Sequence, residues 1–219
     1  MNEDLLAVAH LLLIGCWLGT DLAVYFLSGR MVDPTQPMSV RRFCASAMSW
    51  LDMLPRTALV LTLATGLAMS MSLGFLPNWG SGSGLVWLGA LIWLLLVWAE
   101  YAQRRGPGHR WLAGLDAAIR LLVLGGCIGL ASALWSAAPW LSLKLAIMAL
   151  IIGLGLIIRW RLRPFLALFA QIASGSSCDS DQARLARLIT QVKLPVLLIW
   201  MLMLVAALLG RTRSTWWPG

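Results

Sequence analysis

Charge is what this sequence has least of. Of its 219 residues only 12% are Asp, Glu, Lys or Arg, while 60% are hydrophobic and the mean hydropathy is +0.81; a soluble domain carries about 25% charged and about 45–50% apolar residues. That shortage excludes an ordinary water-soluble fold and points to an integral membrane protein. A positive n-region is missing too. The chain opens MNEDLL, acidic where a secretory leader is basic, so the first apolar run is expected to stay as a span. Cysteines are few and scattered: Cys16, Cys44, Cys127 and Cys178 have no short metal-site or thioredoxin-like spacing, and no disulfide framework follows from them. Cys16 and Cys127 fall in apolar runs, where a thiol behaves as a small hydrophobe. Only one histidine lies inside an apolar run, so no Ser–His–Asp constellation can be drawn. Neither an internal repeat nor a separate soluble domain is visible, and residues 1–219 read as one transmembrane helical domain.

What the sequence has is long apolar runs. About 20 apolar residues cross a bilayer, and six stretches meet that length roughly, at 5–26, 58–76, 85–102, 118–138, 141–158 and 195–209. The expected fold is an all-α polytopic bundle of six spans. Spans two and three are joined by PNWGSGSG and spans four and five by SAAPW, turn sequences without Lys or Arg. The other connections hold Arg30, Arg41, Arg42, Arg56, Arg104, Arg105, Arg110, Arg159, Arg161, Arg163, Arg184, Arg187 and Lys193. The net charge of +8 is therefore a topology signal and not a nucleic-acid footprint. By the positive-inside rule both termini lie outside, with Arg211 and Arg213 as the exception.

Two segments at the charged end have helical patterning of their own. SVRRFCASAMSWLDML, residues 39–54, predicts an interfacial amphipathic helix with Ser39 as its N-cap. Within the loop 164–194, DQARLARLITQV predicts a helix capped by Asp179 or Ser180 that runs into the last span, with a kink at Pro195. Trp79, Trp87, Trp135, Trp140, Trp216 and Trp217 are placed for an outer aromatic belt.

Polar residues inside the spans are costly, so each is expected to have a partner. At 100° per residue His10, Ile14, Trp17, Asp21 and Tyr25 share one face of the first helix, which should point into the bundle. Lys144 enters from the same side at a depth like that of His10; it either snorkels to the interface or partners an anionic group beside the histidine. A polar cluster of Asp21, Arg56, Glu100 and Arg120, with Asp52 and Asp116, is expected at the charged end. Asp52–Arg56 and Asp116–Arg120 are spaced i, i+4 and pair locally. Asp21 is left over, and an arginine such as Arg56, Arg120 or Arg42 is its expected partner.

The opening AVAHLLLIGCWLGTDLAVYFL, together with WLSLKLAIMALIIGLGLIIRWRLRP in the fifth span, resembles the CopD-like membrane proteins and their HemJ-type protoporphyrinogen oxidase relatives. The resemblance covers two of the six helices. It implies haem b binding, with His10 and Lys144 at the positions that matter in the HemJ-type members, in a membrane of the bacterial inner (plasma) membrane type. This chain has two more spans than the shorter relatives, and its GTD and LDMLPR belong to no haem-binding pattern.

Three functions are weighed on these residues. The first is a haem b redox protein that passes electrons between a substrate or partner and quinone or another carrier, with His10 as ligand. Trp17 and Lys144 then lie beside the cofactor, Arg211 and Arg213 meet its propionates, and Met69, Met71 or Met148 offers a second ligand. The second is a structural or assembly subunit, whose small residues permit close helix packing within the bundle or in a homo-oligomer. The third is a copper-handling permease that uses the methionine and cysteine sulfurs as Cu(I) donors.

Overall fold

The structure is a computed structural model that describes residues 3–77, 82–104, 106, 108–175 and 179–211. Among the described residues every regular element is a helix: α1 Glu3–Val32, α2 Met38–Leu51, α3 Met53–Ser72, α4 Gly84–Ala102, α5 His109–Ala133, α6 Pro139–Arg161, α7 Phe165–Ala173 and α8 Asp179–Arg211. Six helical stretches are long and apolar enough to cross a membrane. The protein is a multi-pass membrane helical bundle.

Six helices close into a ring, α1 against α3, then α4, α5, α6, α8 and back to α1. Their inward residues form one core that includes Trp17, Val60, Trp93, Val97, Ile152 and Ile199. The outward residues, such as Leu12, Leu95 and Leu122, are exposed where lipid tails would cover them. The α2–α3 stretch is the most enclosed, with 56% of its apolar window buried against 11% for α1. Its residues explain why: Ala58, Thr62, Ala64, Thr65, Gly66 and Ala68 are small, so neighbouring backbones approach α3 closely.

At the end without charges, α3 turns towards α4 through Gly74, whose φ of +77° favours glycine. α5 and α6 are tied there by the buried Ser142 hydroxyl, which donates to the Ala131 carbonyl. Two spans start and end earlier than hydropathy predicts: the second, expected at 58–76, is α3 Met53–Ser72, and the fourth, expected at 118–138, is α5 His109–Ala133. Apolar turn residues such as Leu134 and Trp135 extended the runs without being helical. Trp135 is exposed and Trp140 packs edge-on against Phe75, whereas Trp79, Trp216 and Trp217 lie outside the described residues. Trp50, Trp98, Trp111 and Trp160 are exposed on helices at the charged end, so tryptophans stand at both ends of the bundle.

A second, smaller core lies at the charged end. Met31, Cys44, Leu168, Phe169, Ile172, Leu185 and Ile189 join the end of α1 to α2, α7 and the first half of α8. Its polar anchor is Arg41, 2% exposed, whose Nε donates to the Met31 carbonyl at 2.7 Å and whose guanidinium reaches Gln182 Oε1 at 2.9 Å. Arg41 thus meets the carbonyl end of the α1 macrodipole. In the α1–α2 turn Asp33 accepts from the Thr35 hydroxyl and main-chain N–H, which hold its exposed carboxyl below the usual carboxylate range. Pro37, and not Ser39, is the N-cap of α2, so the serine lies in the first turn.

Pro195 does not end α8, which runs through it unbroken. Proline has no N–H for the carbonyl four residues before it, that of Gln191. Arg161 supplies the missing donor from α6, at 2.8 Å.

Candidate cofactor site and buried charge network

The Thr65 hydroxyl has one proton, and main-chain carbonyls of its own helix take it, Leu61 at 2.8 Å and Thr62 at 3.1 Å. Its oxygen therefore accepts from His10, whose Nδ1 is 2.8 Å away. That assigns the proton of the neutral imidazole to Nδ1 and leaves Nε2 a lone pair with no hydrogen bond among the described residues. A histidine fixed at one nitrogen and open at the other is how proteins present imidazole to a metal. Gly66, one position beyond Thr65, gives the ring its room: a Cβ there would stand 3.4 Å from Cε1.

Two further groups at this level have unused bonding capacity. Thr62, one turn from Thr65 on α3, has a buried hydroxyl without a hydrogen-bond partner among the described residues. Lys144 on α6 makes no ion pair or hydrogen bond among the described residues. Its Nζ stands 5.8 Å from the Trp140 ring and only 2.7 Å from where a Cβ on Gly210 would lie. It sits against the carbonyl end of α8, a favourable place for a cation, and its field reaches His10. Thr65 also lines an apolar groove of about 370 Å³, with Leu12, Leu13 and Cys16 of α1, Leu61 of α3 and Trp87 of α4, and His10 is not among its lining residues.

Not every predicted neighbour joins them. Trp17 is buried two turns deeper, in the central core beside Asp21. Met69 follows Thr62, Thr65 and Gly66 on one face of α3, and Met148 lies one turn beyond Lys144, whereas Met71 is turned about 200° from Met69. The side chain of Arg211, and Arg213 altogether, lie outside the described residues. Among the described residues no group of three or more His, Cys, Asp or Glu is placed to hold a metal ion.

The charges at the other end form one chain. Asp116, fully buried, accepts from Arg120 Nε at 2.7 Å, from the Trp93 indole at 2.9 Å and from Arg159. Arg159 also holds both oxygens of buried Glu100, whose second neighbour is Arg56 at 3.9 Å, and Arg56 pairs with Asp52. Three arginines and three carboxylates from the start of α3 and from α4, α5 and α6 therefore neutralise one another. Both i, i+4 pairs form as the spacing predicts. Arg159 was missed because its place in RWR at the end of an apolar run reads as a topology charge.

Asp21 departs from expectation, since no arginine reaches it among the described residues. Arg56 is committed to Asp52 and Glu100, Arg120 to Asp116, and Arg42 donates to the Ala173 carbonyl. The carboxylate instead meets the Trp200 indole N–H of α8 at 3.4 Å.

No family model, curated protein or solved structure matches this chain. The site therefore stands on its own geometry. Its donor chemistry fits a haem: one open imidazole nitrogen, a cation free for an anionic substituent, an unused hydroxyl and apolar walls.

Proposed function

We propose that the protein is a haem b-binding membrane redox protein that carries electrons between a substrate or partner protein and quinone or another carrier. The observation that supports this most directly is the His10 imidazole, held at Nδ1 by Thr65 and open at Nε2 within an apolar bundle. In this reading His10 ligates the iron, Lys144 pairs with an anionic substituent of the macrocycle, and Arg211 and Arg213, which follow the last span in the sequence, are the expected partners of the propionates. Thr65 fixes the tautomer and ring plane, and Gly66 and Gly210 keep bulk away from the histidine and the lysine. Haem, when bound, supplies one-electron chemistry, and the apolar surroundings tune its potential. The resemblance to the CopD-like and HemJ-type proteins supports the same pair of residues. The chain then belongs in a bacterial-type inner membrane with both termini outside.

The test is an absorption spectrum with metal analysis on protein purified after haem-replete expression. A Soret band that responds to reductant is the expected result. Copper without haem would support the copper-handling reading. Protein with neither would support an assembly subunit, a reading favoured by the charge network, which is neutral and closed on itself.

A further inference from the structure

Among the described residues Asp21 is the one carboxylate of the polar cluster without a cation. From its own helix come Trp17 and Tyr25, and from α8 come Trp200, whose indole donates to it, and Lys193, whose ammonium lies 5.6 Å from the centroid of the Tyr25 ring. Tyr25 and Trp200 close the α1–α8 seam with ring centroids 5.5 Å apart. From the junction of α2 and α3 comes Asp52, a second carboxylate, with Arg56 turned away from Asp21 and onto Asp52 and Glu100. The α2 arginines Arg41 and Arg42 are occupied by main-chain carbonyls and Gln182. An ionised carboxylate in an apolar bundle needs a countercharge or several donors. Here it has the Trp200 indole at 3.4 Å, the Trp17 indole of its own helix and a like charge, but no cation among the described residues.

We propose that Asp21 is a proton-binding site inside the bundle, loaded from the charged end through the seam between α1, α3 and α8. A proton from water at that end forms the O–H bond on an Asp21 oxygen while the donor's O–H bond breaks; no electron moves. Asp52, half-exposed and fixed by Arg56, marks the aqueous end of this route. Tyr25 of α1 and Lys193 of α8 line it along the seam between those two helices. The site is on the same face of α1 as His10, eleven residues and about 16 Å along the axis. It would therefore store a proton within the membrane, on the charged side of the candidate cofactor site. The assignment does not require haem.

Infrared difference spectroscopy of the full chain in lipid nanodiscs, recorded as pH is raised from 5 to 9, tests it. The expected result is a protonated-carboxyl C=O band that is present in the wild type at low pH, disappears as pH rises and shifts in D₂O. Asp21→Asn should lack it, and Asp21→Glu should return it at a displaced frequency. If Asp21→Asn does not fold, the wild type and Asp21→Glu still decide. A wild type without a titrating band, a band retained in Asp21→Asn, or a band at one frequency in the wild type and Asp21→Glu would each overturn the proposal.

Discussion

At the scale of single residues, the candidate site depends on which nitrogen of His10 is held. Thr65→Val keeps the shape of the side chain and strands Nδ1–H, so it should cost about 1–3 kcal/mol and weaken or shift the haem spectrum; an unchanged melting curve and spectrum would mean that the Thr65 contact does no positioning. His10→Ala should remove the haem band while the protein still inserts, and Lys144→Met should move the redox potential more than the melting temperature. Wild-type haem content in the His10 variant would end the ligand assignment. In the charge network Asp116 is the residue with most to lose. Asp116→Asn leaves Arg120 and Arg159 short of their shared partner, and a loss of about 3–5 kcal/mol is expected on heating in detergent. The paired change of Asp116 and Arg120 to Asn and Met should lose less than the sum of its parts.

At the scale of elements, Pro195 and Arg161 form a compensated defect. The proline removes a donor from α8, and an arginine of α6 replaces it at the Gln191 carbonyl. Arg161→Ala should therefore destabilise by about 1 kcal/mol in the native chain and by close to nothing in a Pro195→Ala background, where a main-chain N–H takes over. Equal costs in both backgrounds would mean that the two residues are independent. The sequence placed the helix from 179 into the last span correctly, and it flagged Pro195. It held no signal of what replaces the donor lost at the proline, because the compensating arginine is 34 positions earlier on another element.

At the scale of the whole molecule, the two uncharged joins lie at one end of the ring and α2, α7 and the charged joins at the other. Reporter fusions at Gly82 and at Gly108 should accordingly give opposite sides of the membrane, with Gly108 inside. Reporters on one side in both fusions would overturn the up-and-down arrangement. The charged end also has its own core beneath the spans, anchored by buried Arg41.

Composition alone determined that this chain is a membrane helical bundle, because runs of apolar residues without charge have no other stable place and bilayer thickness fixes their length. Helical periodicity determined the inward face of α1 and both i, i+4 ion pairs, since those depend only on local geometry. The partners of the remaining polar groups were decided by tertiary structure. His10 meets Thr65 and Asp21 meets Trp200 across 55 and 179 residues, and Arg159 serves two carboxylates on two other helices. Spacing within one helix constrains its neighbours within a turn or two, but it carries no information on which helix stands opposite. Asp21 shows the difference most plainly: its need for a partner was legible in the sequence, and only packing revealed that every nearby arginine is already engaged.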